Sequence, residues 1–145
     1  NMEKQPQFPF APKDFARCLN ATCPRSQNCL RRTAALQDTD EHLFLKVVNP
    51  LRYPKEGEEC ELFRSTDKVR MAWGVTHLLD NVPYKEGSLL RNMIINHLGR
   101  SQYYRCFRKE RPFAPQDQQT IRMLFRQRGI SEEPSFDYYT NEFNW

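Results

Sequence analysis

The stretch SLLRNMIINHLGRSQYYRCFRK, residues 88–109, carries the strongest structural signals in the chain. Its first half predicts a helix from Ser88, because four apolar residues recur at helical spacing and form one stripe: Leu90, Met93, Ile94 and Leu98. Gly99 follows this stripe directly, at the place where a helix-ending glycine is expected. Residues 101–109 are ambiguous, since their spacing fits either a second short helix or a strand.

Signals on both sides of this stretch predict further elements. A helix is expected over 115–128, because Pro115 suits a first helical turn and a glycine follows at position 129. A buried helix is expected from residue 65 to the turn at Asp80, because N-cap residues precede a segment that is apolar on several sides. Two short elements are expected nearer the N-terminus, namely a helix over 30–36 and a strand over 43–48.

These elements predict an α+β fold that is mainly α. It would consist of a helical bundle with a helix-turn-helix-like unit and a small cysteine-bearing N-terminal part with a short strand. The length of 145 residues favours a single domain over 1–145. Within it we expect the cysteine-bearing part at 1–65, the helical, helix-turn-helix-like part at 66–129, and an aromatic, acidic tail packed on the core at 130–145.

The net charge of +4 is distributed unevenly along the chain. Residues 1–85 carry 13 Lys/Arg and 11 Asp/Glu. Residues 86–128 carry nine Lys/Arg and three Asp/Glu, and residues 129–145 carry no Lys/Arg and four Asp/Glu. A basic block followed by an acidic tail indicates an anionic partner for the block. A solvated helical surface with an acidic cap would explain the same pattern, and both interpretations stay open.

Two helices joined by a very tight turn match the layout of a helix-turn-helix motif. In that motif the recognition helix lies in the major groove, and its exposed side chains contact bases and phosphates. Arginine suits guanine edges, glutamine suits adenine edges, and cations suit phosphates. The predicted DNA contacts are therefore Arg100, Ser101, Gln102, Arg105, Arg108 and Lys109. The alternative is that residues 101–109 form a buried element without a role in nucleic-acid binding.

Residues 89–129 also resemble the lambda-repressor-like helix-turn-helix regulators of bacteria. The stretches that carry this resemblance are Leu98-Gly99, Arg100 to Arg105, and Glu110-Arg111-Pro112 ahead of the next helix. The resemblance implies a DNA-binding regulator. The chain departs from the family pattern in two ways: the usual pair of residues after the turn glycine is missing, and Lys109 stands where glycine is common. The shortened turn would change the angle between the two helices.

The whole chain resembles a family of uncharacterised bacterial proteins that is classed as a domain of unknown function. Five stretches carry this resemblance: Cys18-Leu19-Asn20, Cys23-Pro24, Cys29-Leu30-Arg31, Tyr103-Tyr104-Arg105, and Phe136 to Tyr139 with Trp145. It implies no established activity.

Four of the five cysteines form a candidate metal centre: Cys18, Cys23, Cys29 and Cys60. Four thiolates can close a tetrahedral zinc site, so one zinc ion is the first choice of cofactor. An iron–sulfur cluster is the second choice, because thiolate is also its ligand. The alternative is a set of reduced cysteines packed in a small core without any metal. Cys106 is assigned to packing.

The sequence contains no recognisable catalytic motif, such as HExxH, a glycine-rich phosphate loop or a Ser/His/Asp arrangement. We therefore predict no enzyme and assign no catalytic residue. The apolar runs are too short to span a membrane, and no secretory signal is visible, so we expect a cytoplasmic protein without a membrane partner. The leading prediction is a DNA-binding regulator. The alternative is a protein-interaction module whose basic face binds an acidic protein partner and whose cysteines are structural.

Overall fold

The structure is a computed structural model that describes residues 9–37 and 39–145. The chain divides into two compact units. The first comprises residues 1–67 together with 144–145, and the second comprises Lys68–Phe143. The described residues form four α-helices and a two-stranded antiparallel sheet, which confirms the α+β class.

Little regular structure is present in the first unit. Helix α1, Leu30–Ala35, confirms the helix predicted over 30–36. The strand predicted over 43–48 is wrong, since this segment makes an isolated bridge between Arg17 and Val47 instead. β-Branched residues favour a strand only where a partner strand packs beside them, and here the pairing ends after a single bridge. Three single-turn 3-10 segments accompany α1: Ser26–Asn28, Thr39–Glu41 and Pro50–Arg52.

The second unit begins and ends with paired strands. Strand β1, Lys68–Trp73, pairs antiparallel with β2, Tyr138–Phe143, in a register that places Trp73 opposite Tyr138. The helix predicted from residue 65 is therefore wrong. Met71 and Ala72 are both buried although neighbouring strand residues face opposite ways, so the strand is covered on both faces. Such a strand is apolar on several sides, and its sequence pattern is the same as that of a buried helix.

Three helices connect the two strands. Helix α2, Tyr84–Leu98, begins four residues before the predicted Ser88 and ends before Gly99, as predicted. Helix α3, Arg100–Phe107, shows that the ambiguous stretch is helical. Helix α4, Pro115–Gln127, begins at the predicted proline. None of the helices in the described part of the chain combines the length and apolarity that crossing a membrane requires.

The core of the second unit lies between the sheet and the three helices. Ala72 of β1 exchanges two backbone hydrogen bonds with Phe113, at 3.1 and 2.7 Å, which ties the segment before α4 to the sheet. Phe136, ahead of β2, places its ring 5.2 Å from that of Phe113. The buried residues of this core are Ala72, Leu78, Leu90, Ile94, Tyr103, Cys106, Phe113, Ile121 and Phe125.

A helix-turn-helix unit is not confirmed. Gly99, with φ 86°, is the whole connection between α2 and α3. Its N–H donates to the carbonyl of Ile95 at 2.7 Å, and its own carbonyl accepts from Tyr103 N–H at 2.9 Å. The chain therefore passes from one helix to the next without the turn of three or four residues that the motif usually contains.

Candidate nucleic-acid interface and cysteine cluster

Helix α3 presents a basic surface to solvent. Its inner side is buried at Tyr103, which is 6% exposed, and at Cys106, which is 2% exposed. Its solvent side, here called the α3 face, consists of Arg100, Ser101, Tyr104, Arg105, Phe107 and Arg108. The helix contains no Asp or Glu. The α3 face therefore combines three guanidinium groups with two aromatic rings.

Three of the six predicted DNA contacts are exposed and make no ion pair with a carboxylate of the described residues. These are Arg100, Ser101 and Arg105. The guanidinium of Arg100 lies over the ring of Tyr104, 5.6 Å from its centroid. These side chains remain available for an external ligand.

The other three predicted contacts are engaged within the second unit. The amide oxygen of Gln102 accepts a hydrogen bond from Arg111. Arg108 donates from Nε and Nη2 to the carboxylate of Glu110, at 3.0 and 3.3 Å. The ammonium of Lys109 lies 3.2 Å from a carboxylate oxygen of Asp137. These partners could not be predicted from sequence spacing, because two of the three pairs join separate elements.

The acidic tail neutralises part of the basic block. Glu133 accepts from Arg122 Nε at 2.5 Å and lies 3.5 Å from Arg126. The hydrogen bond from Arg122 lowers the pKa of Glu133 below its usual value. Arg128 of the same block pairs with Glu86 at 2.6 Å. Among the described residues, the block's cations without a carboxylate partner are Arg91, Arg100, Arg105 and Arg111.

Asp137 organises the segment after β1. Its carboxylate accepts from Thr76 Oγ1 at 2.6 Å and from Thr76 N–H at 3.2 Å. The hydrogen bond from the Thr76 hydroxyl lowers the pKa of Asp137 most, and the ion pair with Lys109 lowers it further. Lys109 has φ 60°, a backbone conformation that glycine adopts more readily than lysine. The lambda-repressor-like regulators commonly have glycine at the position of Lys109. That glycine in the family pattern indicated the left-handed conformation from sequence.

The remaining aromatic and thiol groups of α3 divide between core and surface. Phe107 is 54% exposed, although it lies one helical turn after the buried Tyr103. Burial raises the pKa of the Tyr103 hydroxyl and of the Cys106 thiol, so both stay protonated at neutral pH. The Cys106 sulfur lies 3.9 Å from the carbonyl oxygen of Pro112. Cys106 is therefore a packing residue, and Phe107 and Tyr104 belong to the exposed surface.

The four other cysteines line one cavity in the first unit. The cavity has a volume of about 30 Å³, and its walls include Cys18, Cys23, Cys29 and Cys60. Each is positioned by backbone hydrogen bonds. Cys18 N–H donates to the backbone carbonyl of Arg31 at 3.0 Å. The backbone carbonyls of Cys23 and Cys60 accept hydrogen bonds in tight turns, and Cys29 immediately precedes α1.

Arg31 occupies the same cavity wall as the four cysteines. Its Nε donates to the carbonyl of Leu62 at 2.7 Å, and its Nη1 to that of Ala16 at 3.1 Å. Burial lowers the pKa of Arg31, repulsion by Arg64 adds to that shift, and the nearby cysteines oppose it.

In residues 9–37 and 39–145, no three Cys, His, Asp or Glu side chains are positioned to hold a metal ion in their present conformations.

The chain belongs to a family of unknown function, DUF6078, whose match covers residues 2–145. No curated protein and no solved structure matches this chain.

Proposed function

We propose that this member of DUF6078 is a cytoplasmic regulator that binds duplex DNA through the α3 face. One observation carries the proposal: α3 exposes Arg100 and Arg105 on a helix that contains no acidic residue, and Arg108 follows directly at its C-cap. Only Arg108 has a carboxylate partner, Glu110, among the described residues.

The charge of the second unit supports an anionic ligand. Residues 68–143 contain 12 Lys/Arg and eight Asp/Glu, a net of +4, whereas the other residues contain ten of each. The entire excess of positive charge therefore belongs to the unit that contains α3. Such a local excess attracts polyanions and accelerates their association.

The dimensions of α3 suit a groove of B-DNA. An α-helix with its side chains is about 10–12 Å in diameter, and the major groove is about 12 Å wide. Arginine can pair with the edge of guanine through two hydrogen bonds or contact phosphates as a cation. Arg100 and Arg105 fit these roles best, because neither has to leave a carboxylate first. The proposal does not require a standard helix-turn-helix turn.

The test compares DNA affinity between two charge-matched double variants. In Arg100→Ala/Arg105→Ala, two cations of the α3 face are removed. In Arg122→Ala/Arg126→Ala, two cations of α4 are removed, both of which pair with Glu133. Both variants lower the net charge by two, so a general loss of positive charge affects them equally.

Binding is measured by fluorescence polarisation with a labelled random duplex at about 50 mM salt. Two lost phosphate contacts reduce affinity on the order of 100-fold at this ionic strength, so we expect that loss for the α3 variant. The α4 variant should stay within about threefold of the unsubstituted chain, because its cations are already paired. Absence of any duplex binding at low salt, or equal losses in the two variants, would refute the proposal and leave the acidic protein partner as the alternative.

A further inference from the structure

Four of the five cysteines in this chain surround a single small cavity, although they come from separate segments. Cys18, Cys23 and Cys29 precede α1, and Cys60 follows the last 3-10 segment by eight residues. Cys29 is buried and the other three are half-buried, so the thiols face the interior without being sealed from solvent. We propose that these four cysteines bind one Zn²⁺ ion, which stabilises the first unit. This inference is independent of the proposed DNA binding.

The four cysteines offer the complete ligand set of one zinc ion. The cavity between them, of about 30 Å³, has room for at least one water-sized occupant. Zinc bound by four thiolates needs only this space at its centre, since each Zn–S bond is about 2.3 Å long. An iron–sulfur cluster contains several iron and sulfide atoms between its cysteines, and metal analysis distinguishes it from a single zinc ion.

Zinc binding requires the four sulfur atoms to converge on one centre by rotation of their side chains. In a tetrahedral site with Zn–S bonds of about 2.3 Å, neighbouring sulfurs lie about 3.8 Å apart. A change of one cysteine rotamer moves its sulfur by about 3 Å while the backbone stays in place. Binding therefore requires new rotamers at the cavity wall.

The surroundings of the cavity suit a site of negative charge. Four thiolates and one Zn²⁺ ion carry a net charge of −2. Arg25, Arg31 and Arg32 line the same cavity. Arg31 is fixed by its hydrogen bonds to Leu62 and Ala16, and the Arg25 guanidinium lies 3.5 Å from the centre of the Phe63 ring. Guanidinium groups held beside the ligands offset their charge.

The first unit also has a physical need for such a site. Among its described residues the buried apolar ones are few and mostly small: Ala11, Phe15, Cys29, Leu30, Ala34, Ala35 and Val48. Its described residues expose eight larger ones: Phe10, Leu19, Leu36, Leu43, Phe44, Val47, Leu51 and Leu62. A unit of fewer than about 70–80 residues with so small a core usually depends on disulfides or a metal ion. All five cysteines are free thiols in the structure, so no disulfide stabilises this unit there.

The first experiment measures metal content after purification under reducing conditions. We expect about one zinc per chain, and at least a fivefold lower content in Cys23→Ala and in Cys60→Ala. Cys106→Ala is the matched control, because it removes the one cysteine that lies in the core of the second unit, and it should keep its zinc. Iron with visible absorption in place of zinc, or equal zinc in all four proteins, would overturn the proposal.

A cobalt titration keeps the test valid if a cysteine variant fails to fold. Metal-free unsubstituted chain is titrated with Co²⁺, which occupies zinc sites and reports its ligands by its visible spectrum. We expect saturation at one equivalent, with the intense bands of tetrahedral thiolate coordination and displacement by Zn²⁺. A spectrum of octahedral, oxygen-coordinated cobalt would overturn the four-cysteine site.

The two tryptophans report on stabilisation in separate units. Trp145 belongs to the first unit, where its ring lies 5.4 Å from that of Phe15, and Trp73 belongs to β1 of the second. After zinc removal verified by metal analysis, the emission of Trp145 in Trp73→Phe should shift to longer wavelength. The emission of Trp73 in Trp145→Phe should stay unchanged. An unchanged Trp145 emission after complete zinc removal would overturn the stabilising role.

Discussion

Replacement of Gly74 by alanine should destabilise the second unit through one identifiable contact. Gly74 has φ 79°, and an added Cβ would lie 2.2 Å from Oδ2 of Asp137 and 2.8 Å from Cε of Lys109. Separations this short force the Asp137 carboxylate to move. That movement disrupts its hydrogen bonds to Thr76 and its ion pair with Lys109.

The expected loss of stability has two parts. The left-handed backbone conformation costs a residue with a Cβ about 1–2 kcal/mol. Displacement of the Asp137 carboxylate costs about 1–2 kcal/mol more. This value is smaller than that of a buried charged hydrogen bond, because Thr76 and Lys109 are exposed to solvent. We therefore expect the free energy of unfolding to fall by about 2–4 kcal/mol in Gly74→Ala.

Gly129→Ala is the matched control, because Gly129 has φ 75° in the same unit and open space where its Cβ would be. Urea unfolding of both variants, followed by Trp73 fluorescence in a Trp145→Phe background, gives the comparison. Gly74→Ala should be the less stable by about 1–2 kcal/mol, which is the share of the displaced carboxylate. If the two variants were equally stable within about 0.5 kcal/mol, the proposed clash with Asp137 would be refuted.

Three further predictions follow from the same unit. The pKa of Asp137 lies below its usual value. Its contribution to stability is therefore present above about pH 4 and is lost as the pH falls through the folded-state pKa. On acid titration, the free energy of unfolding should fall less in Asp137→Asn than in the unsubstituted chain. Ile121→Ala should lower the free energy of unfolding by about 2–5 kcal/mol, because Ile121 is fully buried, whereas Met123→Ala on the same helix should change it by under about 0.5 kcal/mol. Lys109→Gly should change DNA affinity less than Arg105→Ala does, because Lys109 is already paired.

Local signals predicted the helices well. The stripe that ends at Gly99 and the proline that begins α4 act within one or two helical turns, so the sequence around them is sufficient. The strands depended on distant partners. β1 is stabilised by a strand some seventy residues further along the chain, and residues 43–48 have high β-propensity but pair only at a single bridge.

The candidate sites were predictable to different degrees. The number and spacing of cysteines indicated one group of four and a separate Cys106, and the four do line one cavity while the fifth is in the other unit's core. The predicted DNA contacts depended on the helix-turn-helix layout and on residue type, and neither showed which cations are already neutralised. Glu133 and Asp137 follow α4 and reach back to Arg122, Arg126 and Lys109, which is a consequence of tertiary folding.

The salt dependence of duplex binding tests the role of the α3 face most directly. Two phosphate contacts from Arg100 and Arg105, which have no carboxylate partner, correspond to a slope of about −1.8 in log K against log salt concentration. In Arg100→Ala/Arg105→Ala the slope should fall to near zero, while in Arg122→Ala/Arg126→Ala it should remain near the original value. A slope that is the same in all three proteins would contradict DNA binding through the α3 face.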